Sequence, residues 1–345
     1  MAAMTTAAVC VLALAVALHE ASAGSRALDG GELLKIGDLH EVQSHLEEAL
    51  PYYRRALAAF REKKDRAGEA AALVRIADIV ERQGQWDEAK RSLERAVELF
   101  AGLGDRKAAA RALVRLGRVA QAQGRLSESE ARYRQAEAVF DKAGDRGGRA
   151  ESRTRLGELL VAQGRSGEAG PLLDAALADA RARGDVPQQI AALVALGGAR
   201  WQEEQEQAAR SAYEEALRLA EGVGDARAEG TVRGRVARFY AETGRYGEAA
   251  ATARRALTLY ETLKDRRQEA DILSLLGNLD LIEGRPEAAA ARHERALRLY
   301  RALRDRLREA GSLANLAAVY QMQGLAQEAR DTQGKVIFLL QPTAD

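Results

Sequence analysis

The sequence predicts an all-α fold, an array of about eight antiparallel helix pairs, and three observations carry that prediction. Stepping by 40 from Asp65 lands on Asp105, Asp145, Asp185, Asp225, Asp265 and Asp305, an unbroken series that unrelated domains would not produce. Within each period apolar residues recur at helical spacing, as in Leu113, Leu116, Gly117 and Ala120, then Tyr133, Ala136, Val139 and Phe140. Composition agrees: Pro is only 5 of 345 residues, charged residues are 30%, and no sustained alternation of β-branched and aromatic residues marks strands.

Residues 1–23 read as a secretory signal peptide. The run 9–18, VCVLALAVAL, is uncharged and too short to span a bilayer, and Ala21-Ser22-Ala23 fits a small-residue cleavage site. No Lys or Arg precedes the run, so the terminal amine supplies the positive end. The expectation is export, periplasmic or secreted; without a functional signal the chain is cytoplasmic. Cys10 is the single cysteine and lies in this stretch, so a processed chain has neither a disulfide nor a cysteine nucleophile nor a thiolate metal site.

Residues 24–345 then form a single solenoid, with repeats near 25–64, 65–104, 105–144, 145–184, 185–224, 225–264, 265–304 and 305–345. The first is marked by Ile36-Gly37 and by residues 48–60, EALPYYRRALAAF, which match the second half of later repeats. From the second repeat on, the Asp of the forty-residue series stands where an N-cap acceptor satisfies orphan N–H groups of a first helix. Gly104 before Asp105 suits the left-handed residue that ends the preceding helix. Gly84, Gly124, Gly164, Gly244, Gly284 and Gly324 stop the first helix in the same way, with Glu204 as the exception. Ile76, Leu116, Leu156, Leu196, Val236, Leu276 and Leu316 hold a core phase, which Arg153 and Arg233 interrupt in the neighbouring phase of Leu113; those repeats are expected to be looser. Pro51 and Pro171 share a phase early in the second helix, where a kink is expected.

Small residues hold two phases, Ala77, Gly117, Gly157, Gly197, Ala237, Gly277 and Ala317, then Ala96, Ala136, Ala176, Ala216, Ala256 and Ala296. They read as seams where two backbones approach closely. The Arg of Asp105-Arg106, Asp145-Arg146, Asp265-Arg266 and Asp305-Arg306 opposes the helix dipole in a first turn, and pairing with an acid of the adjacent repeat is the expectation.

The pattern of Leu116-Gly117, Gly124, Ser129, Tyr133 and Ala136 in two-helix units resembles the tetratricopeptide repeat (TPR) family over roughly residues 30–340. Family units usually have about 34 residues, so forty points to longer helices, as in the forty-residue subclass of adaptors and peptide sensors. The resemblance implies a right-handed superhelical solenoid whose first helices line a concave groove for an extended peptide or a partner helix.

Chemistry is sparse. Lys+Arg 52 against Asp+Glu 51 leaves no field for nucleic acid or an anionic membrane. HEVQSH, from His40 to His45, has i, i+5 spacing, about 140° around a continuous helix, unlike a zinc-binding HExxH; both histidines are expected to be solvated. His293 holds the phase of Tyr133 and Tyr213, so packing is its expected role. Glu203-Glu204 and Glu214-Glu215 read as solvated charge. Neither a cofactor nor a metal is expected, nor an enzyme.

The phases of Val74, Asp78, Glu81 and Arg82 share one face beside the core stripe and change freely. Asp78, Arg118, Glu158, Gly198, Arg238, Asn278 and Ala318 occupy one of them. By the resemblance, Asn278 hydrogen-bonds a partner's backbone. Trp201 falls on the same stripe, as an anchor or as packing against the turn 203–207. Arg118 and Arg238 suit acidic groups on a ligand, but Glu158 breaks a basic track. Leu281, Ile282 and Met322 make the end of the stripe apolar, and the strongest contact is expected there.

The reading is a non-enzymatic protein–protein interaction module or scaffold binding a protein or peptide partner. The alternatives are the TPR portion of a signalling or CHAT-like protease-associated system, or a cytoplasmic peptide sensor. Near the end, Phe338 occupies a phase held by Glu98, Arg218 and Arg298, while Val336, Ile337 and Leu339 are in core phases. Either this end folds back or it meets a second copy of the chain.

Overall fold

The computed structural model describes residues 28–43 and 45–341; the apolar run, Cys10 and the Ala21-Ser22-Ala23 pattern lie outside them. Among the described residues sixteen α-helices follow one another, without a strand. Two compact units divide at Gln163 and Gly164. The first holds α1 (Gly30–Val42), α2 (Leu46–Glu62), α3 (Arg66–Arg82), α4 (Trp86–Gly102), α5 (Arg106–Ala122), α6 (Leu126–Lys142) and α7 (Arg146–Ala162). The second begins with α8 (Ser166–Arg183), α9 (Val186–Gln202), α10 (Glu206–Val223), α11 (Ala226–Glu242) and α12 (Tyr246–Leu263). It continues with α13 (Arg266–Ile282), α14 (Pro286–Ala302), α15 (Arg306–Met322) and α16 (Ala326–Leu340). Within each unit every helix packs on the next in sequence, the tetratricopeptide-like solenoid arrangement of helix on helix.

The Asp series does cap the first helices. Asp105 accepts from the N–H of Ala108 at 2.9 Å, and Asp65, Asp145, Asp185, Asp225, Asp265 and Asp305 do the same three residues ahead. The acid partner expected for the following Arg is met one residue later instead. Lys107 reaches Asp145 at 4.0 Å, Arg227 reaches Asp265 at 3.3 Å and Arg267 reaches Asp305 at 3.1 Å, so the second helical position is the one that faces the next cap. Arg66, Arg106, Arg146 and Arg266 are exposed.

The small-residue seams differ from the expectation. Gly117 makes room for a ring, since a β-carbon there would lie 2.4 Å from Cε1 of the fully buried Tyr133. Tyr53 lies on Gly37, Tyr213 on Gly197 and His293 on Gly277 in the same way. What approaches the helix at these positions is a side-chain face of the following helix. The second series is different: Ala96, Ala136, Ala176, Ala216, Ala256 and Ala296 are all fully buried, along with Ala56.

Arg153 and Arg233 are accommodated by ion pairs. Arg233 is buried, and its Nε and Nη2 meet Glu229 and Glu221, both at 2.6 Å; Arg153 meets Glu137 at 2.7 Å. A guanidinium paired with carboxylates tolerates a position where a lone charge would not. Pro51 and Pro171 sit inside α2 and α8, which run through them. Glu204 adopts φ 60, the left-handed conformation that glycine supplies in the equivalent turns.

Two expectations fail where a helix ends or lacks a cover. Helix α1 stops at Val42, so the 140° separation of His40 and His45, which assumes one continuous helix, does not apply. In α16, Val336 and Leu339 pack on Leu297, Leu313 and Leu316, but Ile337 is exposed together with Phe338 and Leu340. In the phase of Ile337, Leu177 and Leu297 are buried, Leu297 on Leu313 and Leu316 of the following first helix, and no described helix follows α16.

Candidate partner-binding groove

In the first unit the variable stripe is knitted to itself. Asp38 of α1 meets Arg75 of α3 at 3.1 Å, and Glu41 meets Arg82 at 2.9 Å. One repeat on, Arg115 of α5 meets Asp78 at 2.6 Å and Glu81 at 2.7 Å, and also donates to the carbonyl of Val74. Arg118 completes this set on Glu81 at 3.1 Å, and Glu158 pairs with Arg155 at 3.0 Å. Burial pushes the Asp78 carboxyl above the usual carboxylate range against the pull of Arg115. Arg118 and Glu158 are therefore engaged within the chain: Arg118 helps fasten α5 to α3, while Glu158 pairs within its own helix, α7.

The second unit is different. Helices α11, α13 and α15 line a concavity of about 420 Å³ that includes Arg238, Asn278, Asp271 and Asn315. A second one of about 230 Å³ shares Arg238, Asp271 and Arg308 and adds Arg235. Asp271 is committed: it accepts from the Tyr300 hydroxyl at 2.7 Å and pairs with Arg308 at 3.2 Å. Burial and then the bond to Asp271 drive the Tyr300 hydroxyl pKa upward, against the pull of Arg308. Arg235, Arg238 and Asn278 are exposed, and their side chains have neither an ion-pair nor a hydrogen-bond partner among the described residues. Arg238 thus lines both concavities, with the free amide of Asn278 in the first and the second uncommitted guanidinium, Arg235, in the other, a surface of net positive character with donors and acceptors for an extended backbone.

Trp201 does not face this recess. Its indole lies edge-on to Phe239 of the next first helix at 5.3 Å, and Nε1 donates to Glu242 at 2.6 Å. The indole packs against α11. Leu281, Ile282 and Met322 are not among the lining residues either; Ile282 and Met322 are exposed at the ends of α13 and α15. The recess sits about one helical turn nearer the N-terminal ends, at the level of Asp271, Ser274 and Asn278. Arg235, Asp271 and Asn315 fall outside the phases of Val74, Asp78, Glu81 and Arg82 that defined the stripe. Extending that stripe back by i−3 and i−7 reaches Arg235 from Arg238 and Asp271 from Asn278.

His293 is fully buried on Gly277 with neither ring nitrogen hydrogen-bonded, and burial pushes its imidazole down to about 4. It packs as a neutral ring. No described helix is long and apolar enough to cross a membrane.

The family model described as Tetratricopeptide repeat matches residues 31–101, 68–142, 148–222 and 226–302. The chain belongs to the tetratricopeptide repeat family. No curated protein matches it in sequence. Among solved structures this TPR chain is similar to the apo form of RapI, with a TM-score of 0.67 and 11% identity over 80% of this chain and 99% of that one. It is similar to a Rap protein complexed with competence and sporulation factor, with a TM-score of 0.64 and 15% identity over 89% and 84% of the two chains. It also resembles a signal transduction ATPase with numerous domains and a tetratricopeptide repeat sensor, from Pyrococcus horikoshii. There the TM-score is 0.62 and identity 18%, over 89% of this chain and 47% of that one. At these identities the likeness is one of fold.

Proposed function

We propose that this TPR chain is a non-enzymatic binding module and that the recess of its second unit holds an extended peptide segment carrying an acidic group. One observation carries the reading: Arg238 lines two concavities, one with Asn278 and the other with Arg235, and the three side chains have no partner within the described chain. Guanidiniums pair carboxylates in a bidentate fork, and an Asn amide offers both a donor and an acceptor to a peptide backbone. The similar Rap structure holds competence and sporulation factor, which supports a ligand-binding role for the fold. In the other unit Arg118 is held by Glu81 of the preceding first helix and Glu158 by Arg155 of its own helix, and neither is assigned a ligand.

The test is a pull-down with mass spectrometry, comparing the wild type with an Arg238→Ala, Asn278→Ala double variant. Partners captured by the wild type are expected to disappear from the double variant while its helical circular dichroism is unchanged. Partners retained at wild-type levels would remove the recess from consideration.

A further inference from the structure

One backbone hydrogen bond recurs between the two helices of a repeat. In the first repeat the backbone N–H of His45 donates to the carbonyl of His40 at 2.9 Å, an i→i+5 closure repeated between Arg245 and Tyr240 and between Arg285 and Asp280. This closure brings the two side chains together. Arg285 meets Asp280 at 2.7 Å, Arg245 lies 4.4 Å from the Tyr240 ring centroid, and Arg200 bonds Gln205 at 3.2 Å. The residue three beyond the turn adds an acid, as Glu128 does for Arg125 and Glu248 for Arg245. In the first repeat alone these three places carry His40, His45 and Glu48.

Their ligand atoms converge. Nδ1 of His40 lies 3.0 Å and Nδ1 of His45 3.1 Å from the same Glu48 oxygen, and the three ligand atoms all fall within 4.8 Å of one another. Ligands about 2.0–2.1 Å from a tetrahedral zinc ion stand slightly over 3 Å apart, so small rotations seat an ion between them. The ring of His40 is stacked on Tyr52 at 5.3 Å and 12°, which fixes its plane, while His45 and Glu48 are exposed and leave an entry path.

We propose that His40, His45 and Glu48 bind one divalent transition-metal ion of the zinc class, which pins the end of α1 to the start of α2. Two imidazoles and a carboxylate suit zinc and leave a fourth position for water. Here the HEVQSH spacing is productive because the turn, rather than a helix face, sets it.

The experiment is calorimetric titration of the full chain, free of any polyhistidine tag, with Zn²⁺. Saturation at one ion per chain is expected, and bound zinc should raise the melting temperature. His45→Ala and Glu48→Gln, both at exposed positions, should each weaken binding at least about tenfold, since loss of even an outer-shell partner costs that much. His19→Ala should leave it unchanged. The metal-free variants should melt as the metal-free wild type does. Absence of saturable binding, or undiminished affinity in His45→Ala, overturns the proposal.

Discussion

The ring of Tyr133 lies so close on Gly117 that a β-carbon at Gly117 would stand 2.4 Å from Cε1. The ring is fully buried and has nowhere to move. Gly117→Ala gains about 1 kcal/mol of helix propensity but overpacks the seam by about 1–3 kcal/mol. A net loss is therefore expected in urea denaturation, read as a lower midpoint at unchanged slope. Adding Tyr133→Leu should return much of it, because Ala77 with Leu93 is the same pair in the second repeat. A double variant less stable than the sum of the two single changes would contradict the steric account.

Asp105 satisfies the Ala108 N–H at the start of α5. Asp105→Ala should cost about 1 kcal/mol, as the loss of an N-cap usually does, and Asp105→Asn should keep nearly all of it. Partner capture should be the same for all three proteins. A changed partner list with unchanged stability would give the Asp series a recognition role that its geometry does not suggest.

His293 predicts a pH dependence with a definite sign. Folded, its pKa is about 4; unfolded, it returns to the ordinary value near 6.5. Between these values the unfolded state binds more protons, so this residue's contribution is complete above about 6.5 and declines as pH falls toward 4. His293→Tyr puts the ring of Tyr133 and Tyr213 over Gly277. Melting temperature followed from pH 7 down should fall less steeply in that variant than in the wild type. Parallel curves would mean that the carboxylates alone set the slope.

Repetition made the fold legible. A forty-residue Asp series and a buried Ala series report backbone geometry, and backbone geometry is what every repeat shares. The candidate site was only partly legible, because binding depends on what the repeats do not share. Asn278 and Arg238 could be picked from their stripe, yet the sequence could not show that Arg118 is already taken by Glu81, a contact between helices 37 positions apart. Trp201 was ambiguous for the same reason, since its partners Phe239 and Glu242 belong to the next repeat. The reach of His40 to His45 was hidden by a different fact: period arguments hold along a helix and lapse at its end.

The ring positions also carry a longer period than the repeat. Tyr53, Tyr133 and Tyr213 are spaced by twice the repeat, with His293 next in that series, while Leu93, Leu173 and Ala253 hold the intervening places. The packing therefore recurs only every four helices, and a hairpin moved by one repeat would set a ring where an aliphatic side chain belongs.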